Sequence, residues 1–367
     1  MKSLRLSATL LCLAFVMHPS LTAQDPRLTR SWQMQDGSEI KGSFVKMLGD
    51  KLFIKAQGKE ISIPRDWLAP QSLEAAKALD GGLNEKLIDT ILQMDFVRVS
   101  PDLFPANTFD MGAPKETTGL QEYEPYHRVK ITNDFFLKQT EVTWAEWNAV
   151  RNLAINYDYT DISPGRNGFH GDEEGNHPAT ELSWWDAVKW CNLKSQIENK
   201  TPVYYTSNDF NPQNIFKTGT SGIQVNPNAD GYRLPTEAEW ELAWHYGGRA
   251  QGVPEPDGWH NQISNGNTHP VRSMPSATGK SIHDMLGNVA EWCWDLKGPL
   301  VPFSHVTDPR GPDTGPHRVF RGGSWADHPG CCRPTYRGDF SPILPRSYFI
   351  GFRPARNAPP EPSKTRR

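Results

Sequence analysis

The sequence predicts a compact α+β fold, rich in loops and poor in long regular elements, with a small all-β barrel ahead of it. Composition is the first reason: 31 Pro and 30 Gly in 367 residues make much of the chain turn, and 13 Trp is a high count. A disordered chain would be poor in aromatics, so the indoles argue for a packed interior. The second reason is the alternation of residues 30–68, whose period of two puts successive side chains on opposite faces of a strand. The third is a long stretch, Phe96 to Arg356, in which capped amphipathic helices and short strands lie between loops.

The N-terminus reads as an export signal. Lys2 and Arg5 precede an apolar run from Leu6 to Val16, and Leu21-Thr22-Ala23 offers a small residue for cleavage. Residues 1–23 are therefore expected to be a cleaved signal peptide, too short to span a bilayer. Cys12 would leave with it, since no lipobox precedes that cysteine. No other apolar stretch approaches the roughly 18 residues of a spanning helix. A secreted or periplasmic protein without a transmembrane segment is expected. The formal charge of -3 becomes -5 on loss of Lys2 and Arg5, because residues 1–23 hold no acid. With no basic stripe, that balance excludes nucleic acid as a partner.

Across residues 28–70, Asp36-Gly37, Gly49-Asp50 and Gly58-Lys59 separate short alternating segments as hairpin turns do. Trp32, the Asp36-Gly37 turn, Leu52-Phe53-Ile54 and the KEISIP run from Lys59 to Pro64 resemble the SLA-type homology domain, an SH3-like barrel often attached to secreted bacterial proteins. The resemblance implies either a peptide-binding module or a packing module or spacer. Residues 71–92 read as a polar helical connector, 93–357 as one large domain and 358–367 as a disordered tail.

Two helices in the large domain follow from their caps. In PTEAEWELAWHYGG, Thr236 and Glu239 form a capping box, Trp240, Ala243 and Trp244 share a face, and Gly247-Gly248 stops the helix. In LSWWDAVKWCNLKSQIENK, Ser183 and Asp186 repeat the box, and Trp184, Val188, Cys191 and Leu193 provide the apolar side, which buries Cys191. Short strands are expected at Val129–Ile131 and Phe135–Leu137.

Seven segments in order then carry a resemblance: TFDMGAP from Thr108, EPYHRVKITNDFFLKQTEVTWAEW from Glu124, HPATELSWWDAVKWCN from His177, GYRLPTEAEWELA from Gly231, DMLGNVAEWCWD from Asp284, RVFRGGSW from Arg318 and GFRPAR from Gly351. Together they resemble the formylglycine-generating enzyme, or sulfatase-modifying factor, family. The resemblance implies a C-type-lectin-like arrangement with little regular secondary structure. It also implies an oxidase that uses O₂ and Cu(I) to convert a sulfatase cysteine to formylglycine. In the family the copper sits between two cysteines spaced C-x4-C after the Gly-Gly-Ser motif, positions that fall here on Asp327 and Cys332. Cu(I) is soft and prefers thiolate, whereas a carboxylate suits hard cations. Cys331 cannot readily stand in, because neighbours in an extended segment point to opposite faces.

Adjacent cysteines also fall short of disulfide span, at about 3.8 Å between Cα atoms. In an oxidising compartment the expectation is that one of Cys331 and Cys332 pairs with Cys293 or Cys191, with inert buried thiols and copper use as the alternatives. The resemblance further implies a structural calcium in the GNVAEW loop, held by Asn288 and Glu291 with carbonyls of Leu286, Gly287 and Val289; such hard oxygen donors suit Ca²⁺. Ser324 and Trp292 match positions lining the family's substrate pocket, although Ser324 can equally hold its turn and Trp292 can be core. Arg321 and Arg353 are expected to make structural hydrogen bonds. The preferred function is a binding or accessory protein that has kept the pocket and lost the two-cysteine copper site. Its ligand would be a protein or glycan in the envelope, including a sulfatase or peptide. The alternative is an active oxidase.

Overall fold

A computed structural model describes residues 29–48, 51–57, 59–70, 72–73, 76, 90–113, 124–172, 174–246, 258–274, 282–298, 305–343 and 347–359. The expected signal peptide, most of the connector and the tail from 360 onward lie outside the described residues, as does the Gly247-Gly248 helix stop. The chain divides into two compact units, the second beginning at Leu87.

The first unit is a four-stranded antiparallel meander: β1 (Thr29–Gln33), β2 (Glu39–Leu48), β3 (Lys51–Ala56) and β4 (Lys59–Pro64), in sequence order. Alternation fixes its register, because Leu52 and Ile54 share the buried face with Trp32, Ile63 and Leu68. The Trp32 indole donates to the Gly42 carbonyl at 3.0 Å. Asp36 and Gly37 make the expected turn; the Asp36 carboxylate accepts from Ser38 N at 2.9 Å.

The second unit starts with β5 (Phe96–Val99), β6 (Thr108–Met111), β7 (His127–Lys130) and β8 (Phe135–Lys138). Helices α1 (Trp144–Arg151) and α2 (Trp184–Ile197) follow, then β9 (Tyr232–Arg233) and α3 (Glu237–Tyr246). The C-terminal part holds β10 (Ala290–Leu296), β11 (His305–Thr307), β12 (Arg318–Arg321), β13 (Gly338–Phe340), β14 (Ile350–Gly351) and β15 (Ala355–Asn357). The larger sheets are ordered β9-β15-β8-β5, β13-β12-β10-β14 and β11-β7-β6, and two two-residue ladders, Arg166–Asn167 with Ala179–Thr180 and Tyr204–Tyr205 with Gln224–Val225, accompany them. The strands expected around Val129 and Phe135 are β7 and β8.

Both predicted capping boxes form. Asp186 N donates to Ser183 Oγ at 3.1 Å and Glu239 N to Thr236 Oγ1 at 3.1 Å, and each acid reaches back to the cap's own N–H. A third box, Thr143 with Glu146, starts α1. Indoles do fill the interior. Trp147 and Trp190 stack at 6.1 Å with Phe352 edge-on to both, and the buried Trp184 donates to the Cys293 carbonyl at 2.8 Å. Strand β10 separates two cores: Ala290 and Trp292 face the one built on α1 and α2, while Cys293, on its other side, faces the one that includes α3.

Candidate functional site

Strand β12 ends in Gly322-Gly323-Ser324, the turn that organises the candidate site. Both glycines have positive φ, +92° and +68°. A Cβ on Gly323 would stand 2.7 Å from the Cys331 carbonyl and 2.8 Å from Cys332 Sγ, so the chain returning through Cys331-Cys332 lies directly on this glycine. Gly323→Ala therefore adds left-handed strain to a close contact with backbone, and is expected to lower stability by about 2–4 kcal/mol. Urea denaturation would measure it; a loss below about 1 kcal/mol would show that the returning loop yields easily.

The buried Ser324 hydroxyl donates to Asp327 Oδ2 at 2.7 Å, and Asp327 N donates back to the Ser324 carbonyl at 3.0 Å. This closes a tight polar turn. Cys332 is buried, its thiol 3.7 Å from the Ser324 carbonyl. Cys331 is half-buried beside Tyr336; burial first, and the nearby thiol second, push that phenol up to about 12. Ser324, Asp327 and Cys332 thus come together around this turn.

The Gly-Gly-Ser turn is fastened to the GNVAEW loop by backbone bonds. Gly287 N donates to the Gly322 carbonyl and Trp325 N to the Asn288 carbonyl, both at 2.9 Å. Asn288 is fully buried, and its amide mimics a strand partner: Oδ1 accepts from His269 N at 2.9 Å and Nδ2 donates to the His269 carbonyl at 3.2 Å. Glu291 faces away from this junction. Its two oxygens accept from Arg353 at 2.6 Å each, and Oε2 also takes the Trp240 indole N–H at 2.7 Å. The guanidinium therefore occupies the cation's place at Glu291, and the Asn288 amide oxygen is already engaged. Leu286 and Val289 are buried beside them. Among the described residues, no group of three His, Cys, Asp or Glu side chains converges as a metal site would. The donors do not fit the calcium that the resemblance implies.

The copper fit fails on chemistry. Asp327 and Cys332 supply one carboxylate, committed to Ser324, and one buried thiol; Cu(I) needs two soft donors facing each other. The expected disulfide is not formed either. None of Cys191, Cys293, Cys331 and Cys332 is in a disulfide. The reason is placement. Cys191 sits inside α2 in one core and Cys293 on β10 in the other, while Cys332 packs on the Gly323 turn. Burial pushes the Cys191 and Cys293 thiols well up, which makes them unreactive.

Beneath the turn, charged side chains act as the frame. Arg321 is fully buried between Glu237 and Glu241 of α3 and also donates to the Pro334 carbonyl. Arg337 grips Glu237 with two bonds, 2.5 and 2.6 Å. Burial raises the Glu237 pKa, but Arg337 and Arg321 outweigh it and pull the carboxyl down to about 2. Arg321 and Arg353 accordingly hold structure, as expected from the sequence. Trp292 is core, packed edge-on to Phe320 at 6.3 Å, with an indole N–H that meets no acceptor among the described residues.

One feature of the site was not anticipated. Phe169 stacks on Trp325 with centroids 4.7 Å apart, and Tyr348 lies 5.3 Å from Phe169 and 5.8 Å from Trp325, 45% exposed. Trp325 follows Ser324 directly, so this aromatic platform borders the polar turn. Its members come from three separated loops, which no local spacing reveals.

The fold and this junction define the class: a loop-rich α+β domain in which buried Arg–Glu clamps hold a Gly-Gly-Ser turn against an Asn-containing loop. Residues 103–358 match the sulfatase-modifying factor enzyme 1-like domain, and the chain belongs to that family. It is 30% identical over 236 residues to the chaperone protein LppX of Paenibacillus barcinonensis, covering 57% of this chain and 75% of LppX. It is 37% identical over 151 residues to the formylglycine-generating enzyme of Streptomyces coelicolor, covering 35% of this chain and 48% of that enzyme, so less than half of the enzyme's length is matched. Two solved structures share the fold: Treponema denticola variable protein 1 (TM-score 0.56, 26% identity, 72% of this chain and 95% of that one) and CarF (TM-score 0.54, 28% identity, 73% and 100%).

Proposed function

We propose that the protein is a binding or accessory member of this family, which presents the loop surface around Ser324 and the Phe169–Trp325–Tyr348 platform to a protein or glycan ligand in the cell envelope. Asp327 carries the reading. At the position of the first copper cysteine stands a carboxylate that accepts the Ser324 hydroxyl, so the turn keeps its shape without a thiol. Phe169 and Tyr348, partly exposed and packed on the buried Trp325, suit a ligand with an apolar face, since stacked aromatics bind by contact area and need no reacting group. A secreted or periplasmic location accords with the N-terminal sequence, and no helix among the described residues is long and apolar enough to cross a membrane. The first unit, read as an SH3-like barrel, would add a second interaction module; its four-stranded meander with a buried Trp32 supports that reading.

The test is copper and turnover. Mature protein loaded with Cu(I) is expected to bind it no more tightly than Cys332→Ala, and to leave a Cys-x-Pro-x-Arg peptide unchanged under O₂. One tightly bound copper per chain together with peptide conversion would establish the oxidase reading instead.

A further inference from the structure

A cleft of about 650 Å³ lies in the second unit away from the Gly-Gly-Ser turn. That volume is within the range of small-molecule sites. Its apolar wall includes Trp294, half-buried and stacked on Tyr204 with centroids 5.4 Å apart, together with Leu234 and Pro309. Its polar wall includes Arg356 in the middle of β15 and Arg310 on the loop after β11.

The hydrogen-bonding state of the lining decides what kind of ligand fits. Each acid there already accepts from a neighbour. Asp134 takes Arg98 Nε at 2.6 Å, Asp308 takes Thr132 Oγ1 at 2.6 Å, Asp230 takes Thr201 N at 2.8 Å, and Glu239 is gripped by Arg233 at 2.6 and 2.7 Å. Apart from Arg233, the arginines of the lining are different. Arg356 rests its guanidinium on the Phe136 ring at 4.0 Å, and its Nε–H is buried with no acceptor among the described residues. Arg310 is exposed, attracted by the Glu239 charge but without a hydrogen bond among the described residues. An unsatisfied buried donor is costly, and a guanidinium's planar fork matches a carboxylate.

We propose that this cleft binds an organic carboxylate with a flat apolar body, its ring lying against Trp294 and its carboxylate turned to Arg356 and Arg310. The proposal is independent of the reading of the Ser324 site, and either can fail without the other.

Isothermal titration of the full protein with 2-naphthoate and with its neutral counterpart 2-naphthamide tests it. Naphthoate is expected to bind about tenfold more tightly than the amide, to lose about tenfold in affinity in Arg356→Gln, and to weaken with added salt. Arg310→Gln, at an exposed position that folding does not need, should weaken naphthoate binding by a smaller factor and leave amide binding unchanged. Equal affinity for acid and amide, full affinity in both arginine variants, or no binding of naphthoate at millimolar concentration would overturn the proposal.

Discussion

Arg353→Met will lower the unfolding free energy by about 3–5 kcal/mol, the range for removing one partner of a buried ion pair. Arg353 and Glu291 are 0% and 1% exposed, so solvent screening does not reduce the effect. The guanidinium serves more than one acceptor. Besides both Glu291 oxygens, it donates to the carbonyls of Lys138, Gln139, His283 and Asp284, at 2.9 to 3.2 Å. Two further carboxyls lie close by. Glu141 is held well above the usual carboxylate range by burial and then by the charges of Asp284 and Glu291, and Asp284 is pushed up to about 6, mainly by burial. Methionine would fill the volume but leave three buried carboxyls without their cation and strand four carbonyls. Urea denaturation followed by tryptophan emission measures the loss. Adding Glu291→Gln to the variant should recover part of it, because a neutral amide costs less to bury than an unpaired charge. A midpoint shift equivalent to less than about 1 kcal/mol would mean that the clamp contributes no net stability.

Asp295→Asn is expected to flatten the alkaline side of the stability profile. Asp295 is 3% exposed, and its Oδ2 accepts the Glu237 backbone N–H at 2.8 Å, at the start of α3. Burial, and then the charge of Glu237, push its carboxyl up to about 8. Between about pH 4 and 8 the folded protein therefore keeps a proton that the unfolded chain has released, and stability falls as pH rises through that window, levelling off above it. Glu237 works in the opposite sense: with its carboxyl at about 2, the stability it contributes is present above its unfolded value near 4.5 and is lost as pH falls toward 2. Maximum stability should thus lie near pH 4–5. An Asn keeps the acceptor for Glu237 N and removes the charge. At pH 9 it should stabilise the protein by on the order of 3 kcal/mol relative to the parent, while changing little at pH 5. Melting curves at both pH values decide this, and an identical pH slope in parent and variant would show that Asp295 is ionised in the folded state throughout.

The parts of the fold legible in the sequence are those with a local physical cause. The boxes at Ser183 and Thr236 were readable because cap and acid sit three residues apart and satisfy each other's backbone N–H. The box at Thr143–Glu146 carries the same spacing and the same signal. The burial of Cys191 followed from its place on the apolar side of α2. The cysteine pairing was misjudged because compartment and parity say nothing about distance. None of the four forms a disulfide, and Cys191 and Cys293 lie in different cores.

The candidate site divides the same way. The GGSW and GNVAEW segments could be picked out by residue type, and the resemblance to the family implied that Asp327 stands at a thiol position. That Glu291 turns to Arg353 instead of toward Asn288 was not visible, since the two partners are 62 residues apart. The platform of Phe169, Trp325 and Tyr348 was equally hidden, because its rings meet only after three loops converge.

By itself the sequence determined the family and the loop-rich α+β character, because each depends on residue identity at short spacing. Only the tertiary structure decided which buried charges neutralise one another, which cysteines stay apart and which arginine donors remain unmatched. Those outcomes depend on distances between segments far apart in the chain, and a carboxylate or thiol acquires its role from what folding brings within about 3 Å of it.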